Sequence, residues 1–540
     1  MASDDPWWQG ATIYQVYPRS FLDTTGNGVG DLPGITRRLD YITDLGVDAI
    51  WISPFVQSPM KDFGYDVSDY LAVDPLFGQQ EDVHSLFEAA HARGLRVLMD
   101  QVLSHTSDRH PWFRESMASR DGPKADWYVW ADAAPDGGPP NNWLSVFGGS
   151  SWQWNPWRGQ YYLHNFLREQ PDLNFHNLDV QDALLDVCRT WLDLGADGFR
   201  LDVCAFYFHD RGLKDNPPEP TTPRGAHFQF NPYSYQRHVN DIGQPENLAF
   251  LERLRAMTDR YDDRVLLGEL HQENYAQLHR DYTAPGRLHL AYGYDILGAE
   301  TLSAGLLRAT SEKLGHAPDD GWPAWAMDNH DFTRTPTRAG WEDDPDAAVL
   351  ALVAMTCLRG ATCLYQGSEL ALPEADLDHG DLQDPYGIEF WPAYKGRDGA
   401  RTPMPWDAAR PHGGFSDVDP WLPVPPRHLH RAVSRQEAEP GSPLNRMRRF
   451  LAWRRTEPAL RRGDMTFLDT PENALAFVRD DGAAPVTCVF NFAPADVRVP
   501  FGPAITREAL AGHGFGCPDD AEGLCLPAWG AWFGRPANAR

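Results

Sequence analysis

The sequence predicts an α/β protein built on a (β/α)₈ TIM barrel, with an inserted subdomain after the third strand and an all-β sandwich domain at the C-terminal end. Short apolar runs rich in β-branched and aromatic residues alternate with amphipathic helical stretches. There are eight such runs, the number that closes a barrel. A long segment rich in Trp, Asn, Gly and Pro interrupts the alternation after the third run. An open doubly wound sheet is the alternative for the same alternation.

The predicted strands are nearly continuous apolar runs, which is typical of parallel strands that are covered by helices on both faces. They span residues 12–17, 49–55, 96–102, 198–203, 265–270, 290–296, 324–329 and 362–366. The stretches between them place apolar residues at helical spacing. These predicted helices span residues 35–45, 81–93, 180–194, 245–261, 300–314 and 346–359.

The interruptions set the predicted domain boundaries. We assign residues 1–104 to the first part of the barrel, 105–173 to inserted subdomain B, and 174–460 to the second part of the barrel. A loop-like insertion, residues 373–440, follows the eighth strand. Short strands separated by turn signals over residues 461–540 predict the C-terminal β-sandwich.

Composition narrows the possible partners. A net charge of −28 argues against nucleic acid and anionic membranes, because both are bound through basic patches. No apolar run reaches the roughly 18 residues of a membrane span, and the first residues lack a basic region followed by an apolar one. We therefore expect a cytoplasmic protein that binds a neutral small molecule, as a monomer or a homodimer. The seven scattered cysteines predict buried thiols rather than disulfides or zinc ligands.

Acidic residues stand at the ends of several predicted strands. Asp100, Asp202, Glu269 and Asp331 end or follow strands three, four, five and seven, and Asp62 follows strand two. The carboxyl ends of barrel strands share one rim, where the active sites of such barrels lie. A single acid there is most often a helix cap or a loop ion pair. Several on one rim indicate function, because clustered like charges cost stability.

The chemistry that uses paired carboxylates around a neutral polyol is glycoside hydrolysis. Arg200 lies on the same side of its strand as Asp202 and is expected to keep that carboxylate ionised. Glu269 stands between Leu267 and Leu270, an apolar setting that favours the protonated acid. The spacing alone leaves a metal-assisted lyase or an aldolase open. The absence of lysine at a strand end weakens the aldolase alternative.

Four ordered motifs at these positions resemble the α-amylase family, glycoside hydrolase family 13. They are "DQVLSH" at 100–105, "GFRLDV" at 198–203, "GEL" at 268–270 and "NHD" at 329–331. The resemblance covers nearly the whole chain. Three further segments are similar to the branch that contains α-glucosidases and oligo-1,6-glucosidases: "YQVYPRSF" at 14–21, "QPDLNFHN" at 170–177 and "RTPMPW" at 401–406.

The resemblance implies a role for each carboxylate. Asp202 would be the nucleophile that forms a β-glucosyl-enzyme, and Glu269 the general acid/base. Asp331 would be the third carboxylate, which binds sugar hydroxyls and stabilises the oxocarbenium-like transition state. Arg200 would orient Asp202.

The resemblance also implies the groups that bind the sugar. His105 and His330 would form hydrogen bonds with glucose hydroxyls, and Tyr65 would stack under the ring. Asp62 and Arg401 would close the pocket over the non-reducing end, with Arg397 of "GRDG" as the alternative arginine. Among the tryptophans, those in loops on the catalytic rim are the candidates for sugar stacking, for example Trp143 and Trp152.

These roles imply an exo-acting retaining α-glucosidase that releases glucose from short α-glucosides by double displacement, with transglucosylation. Two features conflict on linkage. Val203, directly after the predicted nucleophile, accompanies α-1,6 preference in this branch, whereas "FYFHD" at 206–210 is similar to enzymes with narrow α-1,4 preference for maltose. We favour maltose-type substrates. An oligo-1,6-glucosidase and a sucrose-acting or isomerising transglucosylase stay as alternatives, and a non-catalytic binding module on the same barrel is the alternative of another class.

The loop "DTTGNGVGD" at 23–31 follows the first strand and carries oxygen ligands suited to a hard cation. Asp23, Thr25, Asn27, the Val29 carbonyl and Asp31 form the predicted set for a structural Ca²⁺ or Mg²⁺. A phosphate cradle is excluded because no lysine and no directly following helix are present. An EF-hand is excluded because position 34 is glycine. A glycine-rich turn without metal is the alternative, and no organic cofactor is expected.

Overall fold

The structure, a computed structural model, describes residues 6–220, 230–271, 274–315, 321–516 and 523–537. Its centre is a sheet of eight parallel strands: β1 Thr12–Val16, β2 Ala49–Ile52, β3 Arg96–Gln101, β4 Gly198–Leu201, β5 Val265–Leu270, β6 Leu290–Gly293, β7 Ala324–Ala326 and β8 Ala361–Tyr365. The strands are ordered β6-β5-β4-β3-β2-β1-β8-β7. A parallel bridge from Ala291 to Pro323 joins the two ends. The sheet is therefore closed, which confirms the barrel and rules out the open sheet.

The barrel strands are buried on both faces, as their apolar sequences predict. One cluster fills the barrel interior, including Ile13, Trp51 and Leu267. The opposite faces pack against the helices in a much larger cluster that includes Ile50 and Leu266. Adjacent residues of a strand thus serve different layers, because side chains alternate between the two faces.

The helices surround the barrel and connect its strands. Their bounds are Leu32–Arg37, Leu39–Leu45, Gln80–Ala92, Pro111–Ala118, Leu178–Asp193, Asn247–Thr258, Tyr275–Tyr282, Tyr294–Leu297, Ala304–Leu314, Thr335–Arg338, Pro345–Cys357, Pro385–Phe390, Pro426–His430, Val433–Ala438, Pro443–Arg454 and Pro458–Arg462. Short 3₁₀ turns span Pro18–Ser20, Cys204–Phe206, Pro232–Tyr235, Ser368–Leu370, His379–Asp381, Asp398–Ala400 and Pro411–Gly414.

Some predicted elements differ from the observed ones. The helix predicted at 35–45 is two helices, because Arg38 has a non-helical backbone (φ −108°, ψ 9°). The sixth strand was predicted to reach residue 296, but it ends at Gly293 and a helix begins at Tyr294. The seventh ends at Ala326 rather than 329. In both cases the residues after the strand no longer pair with a neighbouring strand, and their side chains form part of the rim.

Inserted subdomain B contains a three-stranded antiparallel sheet between β3 and β4 of the barrel. Its strands are Trp130–Ala131, Gln160–Leu163 and Trp152–Asn155, in that spatial order. A separate two-stranded ladder, Val56–Gln57 with Asp69–Val73, precedes it in the chain. The segment predicted as a loop at 373–440 is mostly irregular, with the short helices given above.

The C-terminal domain consists of two antiparallel sheets. The first contains Asp464–Phe467, Ala474–Asp480, Val486–Asn491 and Ala531–Gly534; the second contains Val497–Pro500 and Gly523–Leu526. Ala476, Val489 and Leu524 form the core between the sheets. The other face of the first sheet, including Phe477, packs into the barrel cluster. This arrangement confirms an all-β C-terminal domain; the residue boundaries between domains stay predictions.

Two further expectations concern cysteine and membranes. Five described cysteines are buried free thiols, and Cys525 is a half-buried one; Cys517 lies outside the described residues. Within the described ranges, we find no helix that combines the length and the apolar character needed to cross a membrane.

Candidate active site

A pocket opens at the C-terminal ends of the barrel strands, where the acidic residues were predicted to meet. Asp202, Glu269 and Asp331 all line it. Its other lining residues are Asp62, Tyr65, His105, Val146, Phe147, Phe166, Gln170, Val203, Phe206, Asn231, Tyr233, Ser234, His271, Tyr294, His330, Phe332, Tyr386, Tyr394 and Arg397. Three strands and the loops between them thus bring the three predicted catalytic carboxylates to one cavity.

Arg200 binds three carboxylates on the floor of this pocket. Its Nη1 lies 2.7 Å from Asp202 Oδ1 and 2.8 Å from Asp100 Oδ1, and its Nη2 lies 2.5 Å from Glu269 Oε2. The guanidinium is fully buried and lies 4.8 Å from the centre of the Trp51 ring. The predicted contact between Arg200 and Asp202 is present, and the same arginine also holds the second catalytic acid.

Three acids around a single guanidinium carry excess negative charge. Burial raises the pKa of Asp202; the Arg200 guanidinium opposes this, and the Glu269 and Asp100 carboxylates add to it. Burial raises the pKa of Asp100 to about 6 as well. Arg200 lowers the pKa of Asp202, as the sequence predicted, but burial and the two neighbouring carboxylates outweigh it, so this pKa is raised overall.

The surroundings of Glu269 differ from the apolar setting that the sequence predicted. The carboxylate is almost completely buried, but its oxygens accept hydrogen bonds. Tyr294 Oη donates at 2.9 Å, Tyr292 Oη at 3.1 Å and the Val203 amide at 3.1 Å. The prediction was wrong because Leu267 and Leu270 describe only the strand itself, whereas these donors come from β6, the helix after it and the turn after β4.

The Val203 amide reaches Glu269 because its backbone turns sharply there. Val203 has φ 35° and ψ 49°, in the left-handed region that a β-branched residue seldom adopts. The residue is buried against Phe206 and Ile242. Strained backbone of this kind persists only where the surrounding structure fixes it, and it clusters at functional sites.

Asp331 is held as an anion by two arginines. Arg401 Nη2 lies 3.0 Å and Arg397 Nη1 lies 3.2 Å from its Oδ1. Burial alone would raise the pKa of Asp331, but His330, Arg397 and Arg401 bring it well below its ordinary value. The two arginines supply the permanent charge, because burial lowers the pKa of His330 to about 3 and leaves that ring neutral.

The two predicted histidines are both in the pocket wall as neutral rings. Gln15 Nε2 donates to His330 Nδ1 at 2.8 Å, so the His330 proton is on Nε2, 3.3 Å from Asp331 Oδ2. Burial lowers the pKa of His105 to about 4. His105 Nε2 donates to the Tyr65 carbonyl at 3.0 Å, which fixes the orientation of that ring.

Asp62 pairs with Arg397 rather than with Arg401. Arg397 Nη2 lies 2.7 Å from Asp62 Oδ1 and 2.7 Å from Asp384 Oδ1. Arg401 instead binds Asp331 and the His330 carbonyl. The alternative arginine of the "GRDG" segment is therefore the partner of Asp62, and both residues line the pocket.

The aromatic candidates divide into pocket and core. Tyr65 lines the pocket, stacked on His330 with ring centres 5.2 Å apart and planes 6° apart. Trp143 and Trp152 were predicted as rim residues, but they are buried in the core of subdomain B and stack on each other at 5.9 Å. That prediction was wrong because an indole in a loop-rich segment can equally form the small core of that segment.

Sequence reasoning missed several pocket residues. Gln170 donates to Asp62 Oδ2 at 3.2 Å, and it begins the "QPDLNFHN" segment, so that motif could have pointed to it. Tyr294 and His271 form a second example, with ring centres 4.8 Å apart beside Glu269. No sequence signal identifies these two, because their proximity comes from adjacent strand ends.

The loop at 23–31 is held together by its own hydrogen bonds. Asp23 accepts from the amides of Thr25, Gly26 and Gly28 at 2.8–2.9 Å and from the Ser416 hydroxyl at 2.7 Å. Burial alone would raise the pKa of Asp23, but these donors lower it. A cation would therefore compete with amide hydrogens for the Asp23 oxygens.

The remaining predicted ligands show the same pattern. Asp31 accepts from the Thr24 amide at 2.8 Å and from the Gly34 amide at 2.7 Å, which caps the helix Leu32–Arg37. A helix therefore follows the loop directly, contrary to the prediction, although the loop still contains no lysine. Asn27 Oδ1 accepts from the Val29 amide at 2.8 Å. Among the described residues, no three His, Cys, Asp or Glu side chains are grouped so that they could hold a metal. A cation at this loop would depend on hydroxyl, amide and carbonyl oxygens, and it stays a prediction.

Comparison with known proteins identifies the family. Residues 15–463 match the family model described as alpha amylase, catalytic domain. The chain is 52% identical to a probable alpha-glucosidase of Rhizobium meliloti (strain 1021), over 99% of this chain and 98% of the relative. It is 37% identical to an oligo-1,6-glucosidase of Heyndrickxia coagulans, over 81% of this chain and 83% of the relative. The crystal structure of the alpha-glucosyl transfer enzyme XgtA superposes with a TM-score of 0.95 at 50% identity, over 99% of this chain and 100% of that one. The chain belongs to the α-amylase family.

Proposed function

We propose that this member of the α-amylase family is an exo-acting retaining α-glucosidase. It releases glucose from the non-reducing end of short α-glucosides, with maltose-type α-1,4 linkages preferred. The observation that carries the proposal is the shared guanidinium of Arg200, which binds Asp202 and Glu269, two carboxylates of the pocket that the paired Asp62 and Arg397 also line. Retaining enzymes hold their two carboxyl groups close together, without room for an intervening water, and joint binding to one guanidinium supports that class.

In the first step, an oxygen of Asp202 attacks the anomeric carbon while Glu269 donates its proton to the glycosidic oxygen. The carbon–oxygen bond to the leaving group breaks, and the departing alcohol carries the proton away. The product is a covalent β-glucosyl ester of Asp202.

In the second step, Glu269 takes a proton from the incoming water, whose oxygen attacks the anomeric carbon and breaks the ester. Glucose leaves as the α-anomer, and Asp202 returns to its ionised form. Asp331, which remains anionic beside Arg397 and Arg401, stabilises the positive charge that develops on the sugar ring in both steps.

An unpaired donor supports a sugar-binding role for the wall near Asp331. His330 lines the pocket, and among the described residues its Nε2 has no hydrogen-bond partner, with Asp331 Oδ2 at 3.3 Å as its nearest carboxylate oxygen. Buried polar groups are normally satisfied, so this donor suits a ligand rich in hydroxyl groups. Asp62 and Arg397 form an ion pair within the pocket lining, which supports recognition of a chain end there.

The names of relatives divide between α-glucosidase and oligo-1,6-glucosidase. The relative at 52% identity is named a probable alpha-glucosidase, and one at 37% an oligo-1,6-glucosidase. XgtA, an alpha-glucosyl transfer enzyme, supports transfer of glucose to acceptors other than water. The second candidates are therefore an oligo-1,6-glucosidase and, at 30% identity to an isomaltulose synthase structure, a sucrose-isomerising enzyme.

Parallel product analysis tests the proposal. The purified protein is incubated with maltose, isomaltose and sucrose, and proton NMR follows the anomeric signals from the first turnovers. We expect maltose to be cleaved fastest, α-glucose to appear before mutarotation, and oligosaccharide transfer products at high maltose concentration. Initial release of β-glucose would contradict retention, and much faster cleavage of isomaltose than of maltose would contradict the linkage preference.

A further inference from the structure

Arg19 is a buried cation to which the proposed chemistry assigns no role. Only 6% of its surface is exposed. Its guanidinium carbon lies 4.9 Å from the centre of the Phe63 ring and 4.6 Å from the centre of the Trp421 ring. Within the part of the chain that the structure describes, its Nε has no hydrogen-bond partner. The guanidinium thus lies against two aromatic rings that also contact each other, an arrangement that favours a flat, weakly hydrated cation.

This stack connects three loops of the catalytic rim. Arg19 lies in the 3₁₀ turn after β1, Phe63 in the loop after β2, and Trp421 in the long segment after β8. The Trp421 ring also contacts the Phe63 ring, with centres 5.4 Å apart. Hydrogen bonds fix Trp421 from both sides, from its indole Nε1 to Ser20 Oγ at 3.0 Å and from its amide to the Gly28 carbonyl at 2.9 Å.

The loop after β2 needs such support because its backbone is strained. Phe63 has φ 51°, in the left-handed region that bulky residues seldom adopt. Asp62 precedes it directly, is 4% exposed and forms the ion pair with Arg397. A strained residue keeps its conformation only when neighbouring groups hold it. The groups that contact the Phe63 ring therefore also help to fix the direction in which Asp62 points: the Arg19 guanidinium at 4.9 Å, the Trp421 ring at 5.4 Å and the Arg401 guanidinium at 5.6 Å.

We propose that Arg19 is a positioning residue that acts through Phe63 to hold Asp62 in the place where it binds the terminal glucose. The proposal rests on the proposed exo action, because it assumes that Asp62 binds hydroxyls at the non-reducing end. It explains why an arginine stands at this position: a guanidinium can stack on two rings at once, whereas a lysine ammonium of the same charge cannot.

The test compares the variants R19K and R38K. Arg38 provides a matched control, because its guanidinium stacks on the Trp406 ring at 4.2 Å but has no contact with the loop after β2 among the interactions described. The measured quantity is the ratio of kcat/KM for p-nitrophenyl α-glucoside to kcat/KM for its 4-deoxy analogue. This ratio does not depend on the fraction of folded enzyme, so partial misfolding cannot imitate the effect.

We expect the wild type to prefer the complete sugar. In R19K the ratio of the two kcat/KM values should fall about tenfold, chiefly through a higher KM for p-nitrophenyl α-glucoside. R38K keeps the wild-type ratio. The variant D62N loses the preference too, and R19K/D62N is no worse than D62N, because Arg19 acts through Asp62.

Two results would overturn the proposal in different ways. If R19K kept the wild-type ratio while D62N lost it, Arg19 would have no positioning role and the exo action would stand. If neither the wild type nor D62N distinguished the two substrates, recognition of the terminal glucose by Asp62 would be wrong, and the role of Arg19 would fall with it.

Discussion

The pocket floor and the loop at 23–31 both collect acidic side chains at the same end of the barrel, but they use them in opposite ways. In the pocket, Asp202 and Glu269 share the guanidinium of Arg200 and repel each other. In the loop, the Asp23 and Asp31 oxygens accept from backbone amides. An acid whose oxygens accept hydrogen bonds from the neighbouring backbone fixes the shape of the chain. Acids that crowd one cation leave carboxylate oxygens available for reaction. The partners of a carboxylate, more than its position on the rim, distinguish the two uses.

Removal of the nucleophile should show the largest difference between these regions. In Asp202→Asn, the side chain keeps its shape but cannot form the ester, so we expect kcat/KM for p-nitrophenyl α-glucoside to fall by about 10⁴-fold. Asp186→Asn, a change at an exposed acid paired with Arg189 on the helix Leu178–Asp193, serves as the control and should keep full activity. Equal rates for the wild type and Asp202→Asn would refute the enzyme assignment and favour a binding module.

Removal of Asp100 should show how far charge repulsion in the pocket changes the pKa of Asp202. Asp100 adds negative charge next to Asp202, and it also accepts a hydrogen bond from Nη1 of Arg200, the same atom that binds Asp202. In Asp100→Asn both effects disappear, so the pKa of Asp202 falls and its ionised form persists to lower pH. The acid limb of the kcat/KM profile should therefore move to lower pH, by about half a unit to one unit. A shift to higher pH would show that Asp100 assists the ionisation of Asp202.

In the loop, loss of an acid should lower stability and leave catalysis nearly intact. Asp23→Ala removes the acceptor of three backbone amides and the Ser416 hydroxyl, so we expect a loss of about 1–2 kcal/mol in the free energy of unfolding. Asp136→Ala is the matched change, because Asp136 is an exposed loop acid whose one hydrogen bond within the described ranges is from the Gly138 amide. Thermal unfolding and kcat/KM of each variant are compared. A large fall in kcat/KM of folded Asp23→Ala would place the loop in the chemistry.

The smallest expected effect concerns the predicted cation. If the loop binds Ca²⁺ or Mg²⁺, millimolar ion should raise the unfolding temperature by a few degrees and EDTA should reverse it, with kcat/KM unchanged. Asp23→Ala should abolish the response. Identical unfolding curves with ion and with EDTA would show that the loop is a turn closed by hydrogen bonds alone.

The sequence by itself determined a parallel sheet covered on both faces, favoured the barrel through its count of eight strands, and placed the three predicted catalytic carboxylates. Eight apolar runs separated by helices are typical of parallel strands, and the residues after parallel strands share one edge or rim. Asp202, Glu269 and Asp331 could therefore be placed without coordinates. The same reasoning identified Arg200, because residues two apart on a strand share a face.

The tertiary structure alone decided which groups meet across the rim. Three examples join segments far apart in the chain. They are the pairing of Asp62 with Arg397 rather than Arg401, the hydroxyl donors around Glu269, and the contacts of Arg19 with Phe63 and Trp421. Periodicity describes a residue relative to its own strand or helix. Distances between loops depend on how all eight strands close, and that closure is a property of the whole fold.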